Sequence, residues 1–157
     1  MRFTLFLLLF VFVAACGTAP RPTGPGQGAR KRASVQFYLV HEQPGPDVAE
    51  YKVNTTSETI FLAPRPELTN RDISWAEMQV DSITGRASVL IHFTIEGTDK
   101  LAILTGRNAG RRLAIAVDGR IISTPLIAKE LRDGRATIQG FPSAAEAQRV
   151  ADSLNFR

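Results

Sequence analysis

The chain has 157 residues, of which 44% are hydrophobic and 22% are charged, which is enough apolar side chain for one folded core. Five of its 19 basic residues precede Glu42, the first acidic residue, and they account for the formal net charge of +4. The other 14 basic residues are balanced by 15 acidic ones, so the folded part has no basic excess and we expect no nucleic acid as a partner.

Residues 1–15 have the pattern of an export signal, in which Arg2 precedes an apolar run that ends in small residues. The run has about a dozen residues, fewer than the ~20 of a membrane-spanning helix, and no second candidate follows it. The single cysteine, Cys16, completes the sequence VAAC, which resembles the lipobox of bacterial lipoproteins. That resemblance implies an acylated Cys16 that holds the protein on a membrane. The alternative is a chance cysteine in an ordinary signal peptide.

Residues 16–33 are predicted to be a tether, because four glycines and three prolines follow Cys16 and no large apolar side chain does. The basic run ARKR at its end either attracts anionic lipid head groups or is only a solvated linker charge. The expected location is therefore the bacterial cell envelope. The lipid would sit in the inner or outer membrane, with the domain on the periplasmic side.

Residues 34–157 are predicted to form one domain that begins with strands. Alternating apolar and polar residues predict strands in SVQFYLV (34–40), in EYKVN and in ETIFLA. A helical turn and a strand near 77–82 follow. The sequence ITGR then closes a hairpin into 87–94, where Val89, Ile91 and Phe93 share one face.

Two helices are predicted from capping signals and apolar spacing. The first covers about 96–108, with Thr94 as its amino-terminal cap and Gly110 as its left-handed stop. The second follows Ser143, which has capping-box spacing to Glu146. The residues predicted to face the core are Leu101, Leu104 and Thr105 in the first helix and Ala147, Val150, Ala151 and Leu154 in the second.

Asp118 and Gly119 stand between two short apolar runs and predict a two-residue hairpin turn, because both positions of that turn need positive φ. Asp118 is therefore interpreted as a turn residue and not as the acid of an active site. The predicted strand pairs are Val117 with Arg120, Ile115 with Ile122, and Leu113 with Thr124. The opposite strand face, with Ala114, Ala116, Ile121 and Ser123, is apolar enough to be partly covered.

The sequence does not predict an enzyme. Its two histidines, His41 and His92, lie outside recognisable catalytic motifs, and His92 is expected on the sheet face opposite Ile91 and Phe93. The carboxylates are scattered, and no glycine-rich phosphate loop or zinc-ligand set occurs. We therefore predict no catalytic residue, no cofactor and no metal.

Partner binding is the remaining class of function. Trp75, with Phe61 and Tyr38, either lines a groove for an extended peptide or belongs to the core. Three arginines flank the junction between the first helix and the hairpin, where they either bind a partner or neutralise the carbonyl groups at the helix end. They are Arg107, Arg111 and Arg112.

The carboxy-terminal half carries a consecutive set of matches to one known domain. They are Glu96-Gly97, the run from Asn108 to Ile115, Asp118-Gly119, the run from Ile122 to Ile127, and then Gly134, Ile138, Gly140, Phe141, Glu146, Ala147, Ala151 and Leu154. Over residues 87–155, and more loosely over LTNRDISWAEMQVDS before them, the chain resembles the periplasmic P1 head subdomain of SecD, the accessory subunit of the Sec protein translocase. It departs from that family between Gly140 and Phe141, where a polar residue is usual. It also has no set of membrane-spanning helices, so we do not expect it to be a proton-driven motor.

The sequence thus predicts an α+β fold, a mainly antiparallel sheet packed by two helices. The predicted function is a lipid-anchored, non-catalytic module that binds unfolded or exported polypeptide, a Sec translocase component or another envelope component. The alternative is an envelope hydrolase or a small-ligand-binding lipoprotein. That alternative requires a deep pocket lined by His92 and at least two carboxylates.

Overall fold

The computed structural model describes residues 32–155, which form strands and two helices in an α+β arrangement. Cys16, the signal segment and most of the predicted tether lie outside the described residues. The elements in chain order are β1 Val35–His41, β2 Ala49–Lys52, β3 Thr59–Leu62, β4 Leu68–Thr69, a short 3₁₀ helix Asn70–Asp72, β5 Ile73–Val80, β6 Ala87–Phe93, α1 Ile95–Arg107, β7 Leu113–Val117, β8 Arg120–Ser123, β9 Arg135–Ile138 and α2 Ala144–Asn155.

The strands form two sheets whose ladders are all antiparallel. The larger sheet has the order β2-β3-β1-β7-β8, with β4 also paired to β1, and the smaller has the order β5-β6-β9. An isolated parallel bridge joins Val53, just after β2, to Ile121 in β8, and the amide of Asn54 donates to the Ile121 carbonyl at 2.8 Å. The larger sheet therefore curls until its two ends touch.

Two apolar clusters stabilise this arrangement. The main core draws side chains from both sheets and both helices, and the rings of Phe37 in β1 and Phe93 in β6 pack with centroids 5.8 Å apart. A second cluster fills the inside of the curled sheet. Its members are Val40, Val53, Ile60, Leu62, Ala114, Ala116 and Ile121. Every residue of β7 is buried, as expected for a strand covered on both faces.

One part of the predicted hairpin register is wrong. Val117 does pair with Arg120, but Ile115 pairs with Ser123 instead of Ile122, and the Leu113 amide donates to the carbonyl of Pro125 rather than pairing with Thr124. A β-bulge explains the shift, because it adds one residue to β8. Ile121 then reaches the second cluster while Ile122 reaches the main core, so both isoleucines are buried.

The helices have the predicted ends and core faces. The Thr94 hydroxyl accepts from the amide of Gly97, and the Ser143 hydroxyl accepts from that of Glu146. Gly110 has the left-handed φ of 84° that was predicted for the residue after α1. All seven side chains predicted to face the core are buried. Strands β4 and β9 were not predicted, and β5 begins at Ile73, before the expected start near 77.

The amino-terminal end of the described domain is held firmly. Ala33 is 1% exposed; its amide donates to the Ser153 hydroxyl at 3.1 Å, and its carbonyl accepts from the Asn70 side-chain amide at 2.6 Å. The same Asn70 side chain accepts from the amide of Val35. The packed domain therefore includes Ala33, the last residue assigned to the tether.

Candidate functional site

Both sheets contribute to an open cleft of about 1640 Å³ among the described residues. One wall consists of residues 53–56, after β2, and the end of β8 up to Pro125. The other wall consists of the β5–β6 hairpin and the segment from Thr137 in β9 to the start of α2. Its size and openness suit a segment of chain better than a small molecule.

Most of the charged side chains that line this cleft have partners within the described domain. Arg120 forms an ion pair with Glu146 across the junction between β8 and α2. The carboxylate of Asp81 accepts from the amides of Ile83 and Thr84 and from the Thr84 hydroxyl. Because the Thr84 amide and hydroxyl and the Ile83 amide all stabilise the charged form, the pKa of Asp81 lies below its usual range. Asp81 therefore stabilises the turn of the β5–β6 hairpin.

Gly140 and Ser123 both line the cleft, and each has a feature that its neighbours lack. Gly140 has φ of 93°, and a Cβ at this position would lie 2.4 Å from the carbonyl oxygen of Ile122. A glycine is therefore required where the two walls meet. The Ser123 hydroxyl in the cleft wall is buried, and no hydrogen-bond partner for it lies within the described chain.

The predicted binding residues do not form one surface. Trp75 is 42% exposed and lies on the smaller sheet, where its indole stacks on the His92 ring with centroids 3.7 Å apart and planes at 8°. Tyr38 packs against the second cluster of the larger sheet, and Phe61 is half-buried in that sheet. None of these aromatic side chains lines the cleft, so the structure does not assemble them into a peptide groove.

The three arginines have different surroundings. Arg111 donates to the Asn108 side chain at 2.9 Å and to the Val40 carbonyl at 3.2 Å, which ties the end of α1 to β1. Arg112 forms an ion pair with Glu58 at 2.7 Å. Arg107 is exposed in the last turn of α1. The Leu104 carbonyl at the end of α1 accepts from the side-chain amide of Asn108 and not from one of these arginines.

Asp118 and Gly119 lie at the hairpin turn, with φ of 51° and 79°. The Asp118 carboxylate is exposed; it accepts from the amide of Ser34 at 3.0 Å and pairs with Arg149 at 3.1 Å. These contacts join the turn to the start of β1 and to α2. The geometry gives Asp118 a role in holding three elements together.

The described residues contain one buried carboxylate, that of Asp72, beneath the start of α1. Burial raises the pKa of Asp72, but hydrogen bonds from Lys100 and from the amide and hydroxyl of Thr69, together with the Lys100 charge, outweigh it and hold the pKa below its usual range. The Lys100 ammonium also pairs with Glu96. This cluster lies outside the cleft and fixes the 3₁₀ helix against α1.

Within residues 32–155, no group of three or more histidine, cysteine, aspartate or glutamate side chains is placed to hold a metal ion. In the same range, no helix has the length and apolar character required to cross a membrane. His92 does not line the cleft that contains Asp81 and Glu146. The pocket required by the hydrolase alternative, with His92 beside two carboxylates, is therefore not the one this cleft provides.

The family model for the SecDF P1 head subdomain matches residues 47–156. The chain belongs to this family. The match reaches further toward the amino terminus than the resemblance at 87–155, and it includes β2 to β5. The fold and the family that the sequence predicted are both confirmed.

The P1 head relationship is also seen in individual relatives. SecDF of Thermus thermophilus is 40% identical over 86 residues, which are 55% of this chain and 12% of that protein. SecD of Acidaminococcus fermentans is 34% identical over 84 residues, which are 54% of this chain and 20% of that protein. The chain thus spans a small part of these translocase subunits.

Solved structures give the same relationship. The crystal structure of SecDF in a super-membrane-facing form has a TM-score of 0.66 and 31% identity, covering 79% of this chain and 19% of that one. A second structure, of a membrane component SecDF that enhances protein export, has a TM-score of 0.66 and 28% identity. It covers 86% of this chain and 71% of that one.

Sequence reasoning missed the cleft itself. Ser123 was predicted only as part of a partly covered strand face, and β9 was not predicted as a strand. The segment RATI in β9 is short and follows a glycine. Its alternation of polar and apolar residues, with polar Thr137 next to apolar Ile138, was nevertheless a usable signal, and in the structure Thr137 is exposed and Ile138 is buried. The cleft forms where the ends of several strands meet in space. The periodicity of residues along the chain does not predict which strand ends meet.

Proposed function

We propose that this chain is a membrane-anchored, non-catalytic P1 head module of the bacterial envelope that binds polypeptide and assists protein export. The observation that carries the proposal is the family match over residues 47–156, in a fold with an open cleft in which no reactive groups are assembled. A translocase component or another envelope protein is the other partner class. The proposed anchor is a lipid on Cys16 followed by the tether, which would place the domain on the periplasmic side.

Crosslinking in cells tests the polypeptide partner. A photo-reactive amino acid is placed in the full-length chain at Gln139 or Thr56, on opposite walls of the cleft, with Ile103 on the exposed side of α1 as the matched control. We expect exported polypeptides to crosslink at the two cleft positions and to accumulate there when translocation is slowed. Equal capture at Ile103 would contradict a cleft-based function.

The anchor is tested separately by Cys16→Ser. We expect the wild-type chain to incorporate labelled palmitate and to remain with membranes after alkaline extraction, because two or more acyl chains bind a bilayer stably. The Cys16→Ser chain should incorporate no label and should be released. A variant that stays membrane-bound after extraction would show that another segment provides the anchor.

A further inference from the structure

The outer edge of β9 presents backbone hydrogen-bonding groups to the cleft. In an antiparallel pair, every second residue directs its N–H and C=O toward the partner strand, and the residues between direct theirs away. The carbonyl of Gly134 accepts from the Phe93 amide, so the backbone groups of Gly134 point toward β6. Ala136 and Ile138 lie two and four residues further along the strand, so their N–H and C=O groups point toward β6 as well. The N–H and C=O of Thr137 therefore point away from β6, on the side where Thr137 and Gln139 line the cleft.

The edges of β5 and β8 are partly covered by other groups. At β5, the Asn155 side chain bonds both the N–H and the C=O of Ala76, as a neighbouring strand would. At β8, the segment after β2 covers the edge, since the Asn54 amide bonds the carbonyl of Ile121. These contacts use backbone groups that would otherwise recruit another chain.

Another edge, that of β2, is protected by charge. Its four residues are all exposed, and Glu50 and Lys52 place opposite charges on it, which is a common defence of an edge strand against pairing. In β9, by contrast, the only charged residue is Arg135 at the start, and the three residues after it are uncharged. Among the described strands, β9 thus combines an open edge, uncharged residues and an adjoining cleft.

The cleft offers further groups to a chain lying along this edge. The buried Ser123 hydroxyl, on the wall that ends β8, lacks a hydrogen-bond partner in the described chain. Val80 of the β5–β6 hairpin lines the cleft and is 54% exposed. An extended chain is the occupant that satisfies unpaired backbone groups on one side and contacts apolar side chains on the other.

We propose that an extended segment of polypeptide binds as an added strand along the free edge of β9, held by main-chain hydrogen bonds that include the N–H and C=O of Thr137. This inference rests on the proposed function and specifies its mode of recognition. Because every residue except proline supplies the same backbone groups, this mode accepts polypeptides of many sequences and discriminates against proline-rich ones.

Substitution at Thr137 tests the mode directly. Thr137→Pro removes the outward N–H, and proline is tolerated in an edge strand where its nitrogen faces away from the partner strand. Thr137→Val keeps the N–H and changes only the side chain. With full-length protein in detergent micelles and reduced, carboxymethylated lactalbumin as the probe, we expect Thr137→Pro to weaken binding roughly three- to tenfold. Thr137→Val should bind as the wild type does.

A modified probe covers the case in which Thr137→Pro does not fold. A short fluorescein-labelled peptide of alternating threonine and valine is compared with the same peptide N-methylated at every threonine and with one N-methylated at every residue. Because the N–H groups of a strand alternate between its two edges, the first variant keeps one edge intact and should retain most of the binding, whereas the second should lose it by more than about tenfold.

The outcomes separate this inference from the proposed function. Polypeptide binding that is equal for Thr137→Pro and wild type, with the peptide N-methylated at every residue also bound, would overturn strand addition and leave the proposed function standing. A wild-type chain that binds neither probe would overturn both. A Thr137→Pro chain that binds polypeptide normally but loses self-association would assign the β9 edge to a second copy of this chain, and would also overturn the inference.

Discussion

Asn155 and Ala76 are joined by two hydrogen bonds: the Asn155 amide nitrogen donates to the Ala76 carbonyl at 2.7 Å, and its amide oxygen accepts from the Ala76 N–H at 2.9 Å. A side chain at the end of α2 thereby completes the outer edge of β5. The amide group has the same donor and acceptor as a peptide unit, so it replaces one residue of a missing neighbour strand.

Asn155→Ala should therefore destabilise the domain and open the β5 edge. We expect a loss of about 1–3 kcal/mol in the free energy of unfolding, because two backbone groups lose their partner. Urea unfolding measures the loss, and hydrogen exchange at the Ala76 amide should become faster. Gln148→Ala on the same helix removes only an exposed contact with Asp152 and should cost less than about 0.5 kcal/mol. Equal stability of the two variants would show that the Asn155 contact contributes nothing.

Gly97→Ala and Gly106→Ala make a matched pair within α1. Alanine is favoured over glycine in a helix by about 1 kcal/mol, so both substitutions would stabilise an isolated helix. A Cβ at 97 would lie 2.2 Å from the backbone oxygen of Asp72, whereas one at 106 would meet only the Glu130 side chain, at 3.3 Å or more.

We expect Gly97→Ala to lower the free energy of unfolding by about 1–3 kcal/mol because backbone atoms must move apart. Gly106→Ala should leave it unchanged or raise it. Thermal unfolding of the two variants measures the difference. A Gly97→Ala chain as stable as Gly106→Ala would show that α1 does not pack as closely on the 3₁₀ helix as described.

The Asp72 carboxylate should make stability depend on acidity. Its pKa in the folded protein lies below the unfolded value of about 3.9. The contribution of the charged carboxylate to folding stability is therefore fully present above about pH 3.9, and it is lost as the pH falls through the folded pKa. At neutral pH, Asp72→Asn should lower the free energy of unfolding by about 1.5–3 kcal/mol, since hydrogen bonds to a charged group are weakened.

The difference between wild type and Asp72→Asn should shrink as the pH falls below about 3.9. Denaturant unfolding across this range measures it. Asp99→Asn, an exposed position one residue from Lys100, is the control and should show no comparable difference. A gap between wild type and Asp72→Asn that is constant with pH would assign the effect to packing and not to charge.

The His92 ring should contribute through stacking and not through its nitrogens. Its Nε2 atom is buried with no hydrogen-bond partner in the described chain, while its ring lies parallel to that of Trp75. His92→Phe keeps an aromatic ring and removes the unsatisfied atom, so we expect an unchanged or higher free energy of unfolding.

His92→Ala should instead cost about 0.5–1.5 kcal/mol from the lost aromatic pair, in addition to lost burial. Thermal denaturation of both variants provides the comparison. Destabilisation by His92→Phe as large as that by His92→Ala would show that an imidazole nitrogen makes a contact the structure does not describe.

Local signals in the sequence were sufficient for the helices and the hairpin turn. Thr94 and Ser143 cap the helices because their hydroxyls reach backbone amides a few residues away, and Asp118-Gly119 turns the chain because of its own backbone preference. Each of these contacts spans only a short stretch of chain. Such interactions are visible in the order of residues alone.

Contacts between distant segments could not be predicted in the same way. The bulge at Ile122 depends on two separate clusters that draw Ile121 and Ile122 apart, and periodicity in β8 alone predicts no such insertion. The amide of Asn155 bonds a strand 79 residues earlier in the chain. The cleft has the same origin, because its walls are brought together by the pairing of strands and not by any contiguous motif.

The firm attachment of Ala33 has a mechanical consequence. The chain enters the domain at the start of β1, and β1 pairs with β7 on one side and with β3 and β4 on the other. A pull from the amino-terminal side is therefore applied to an interior strand along its length, where many bonds resist it together instead of parting one after another. If the chain binds polypeptide and is anchored as proposed, a polypeptide pulled against that anchor would load the sheet in the direction in which it resists most.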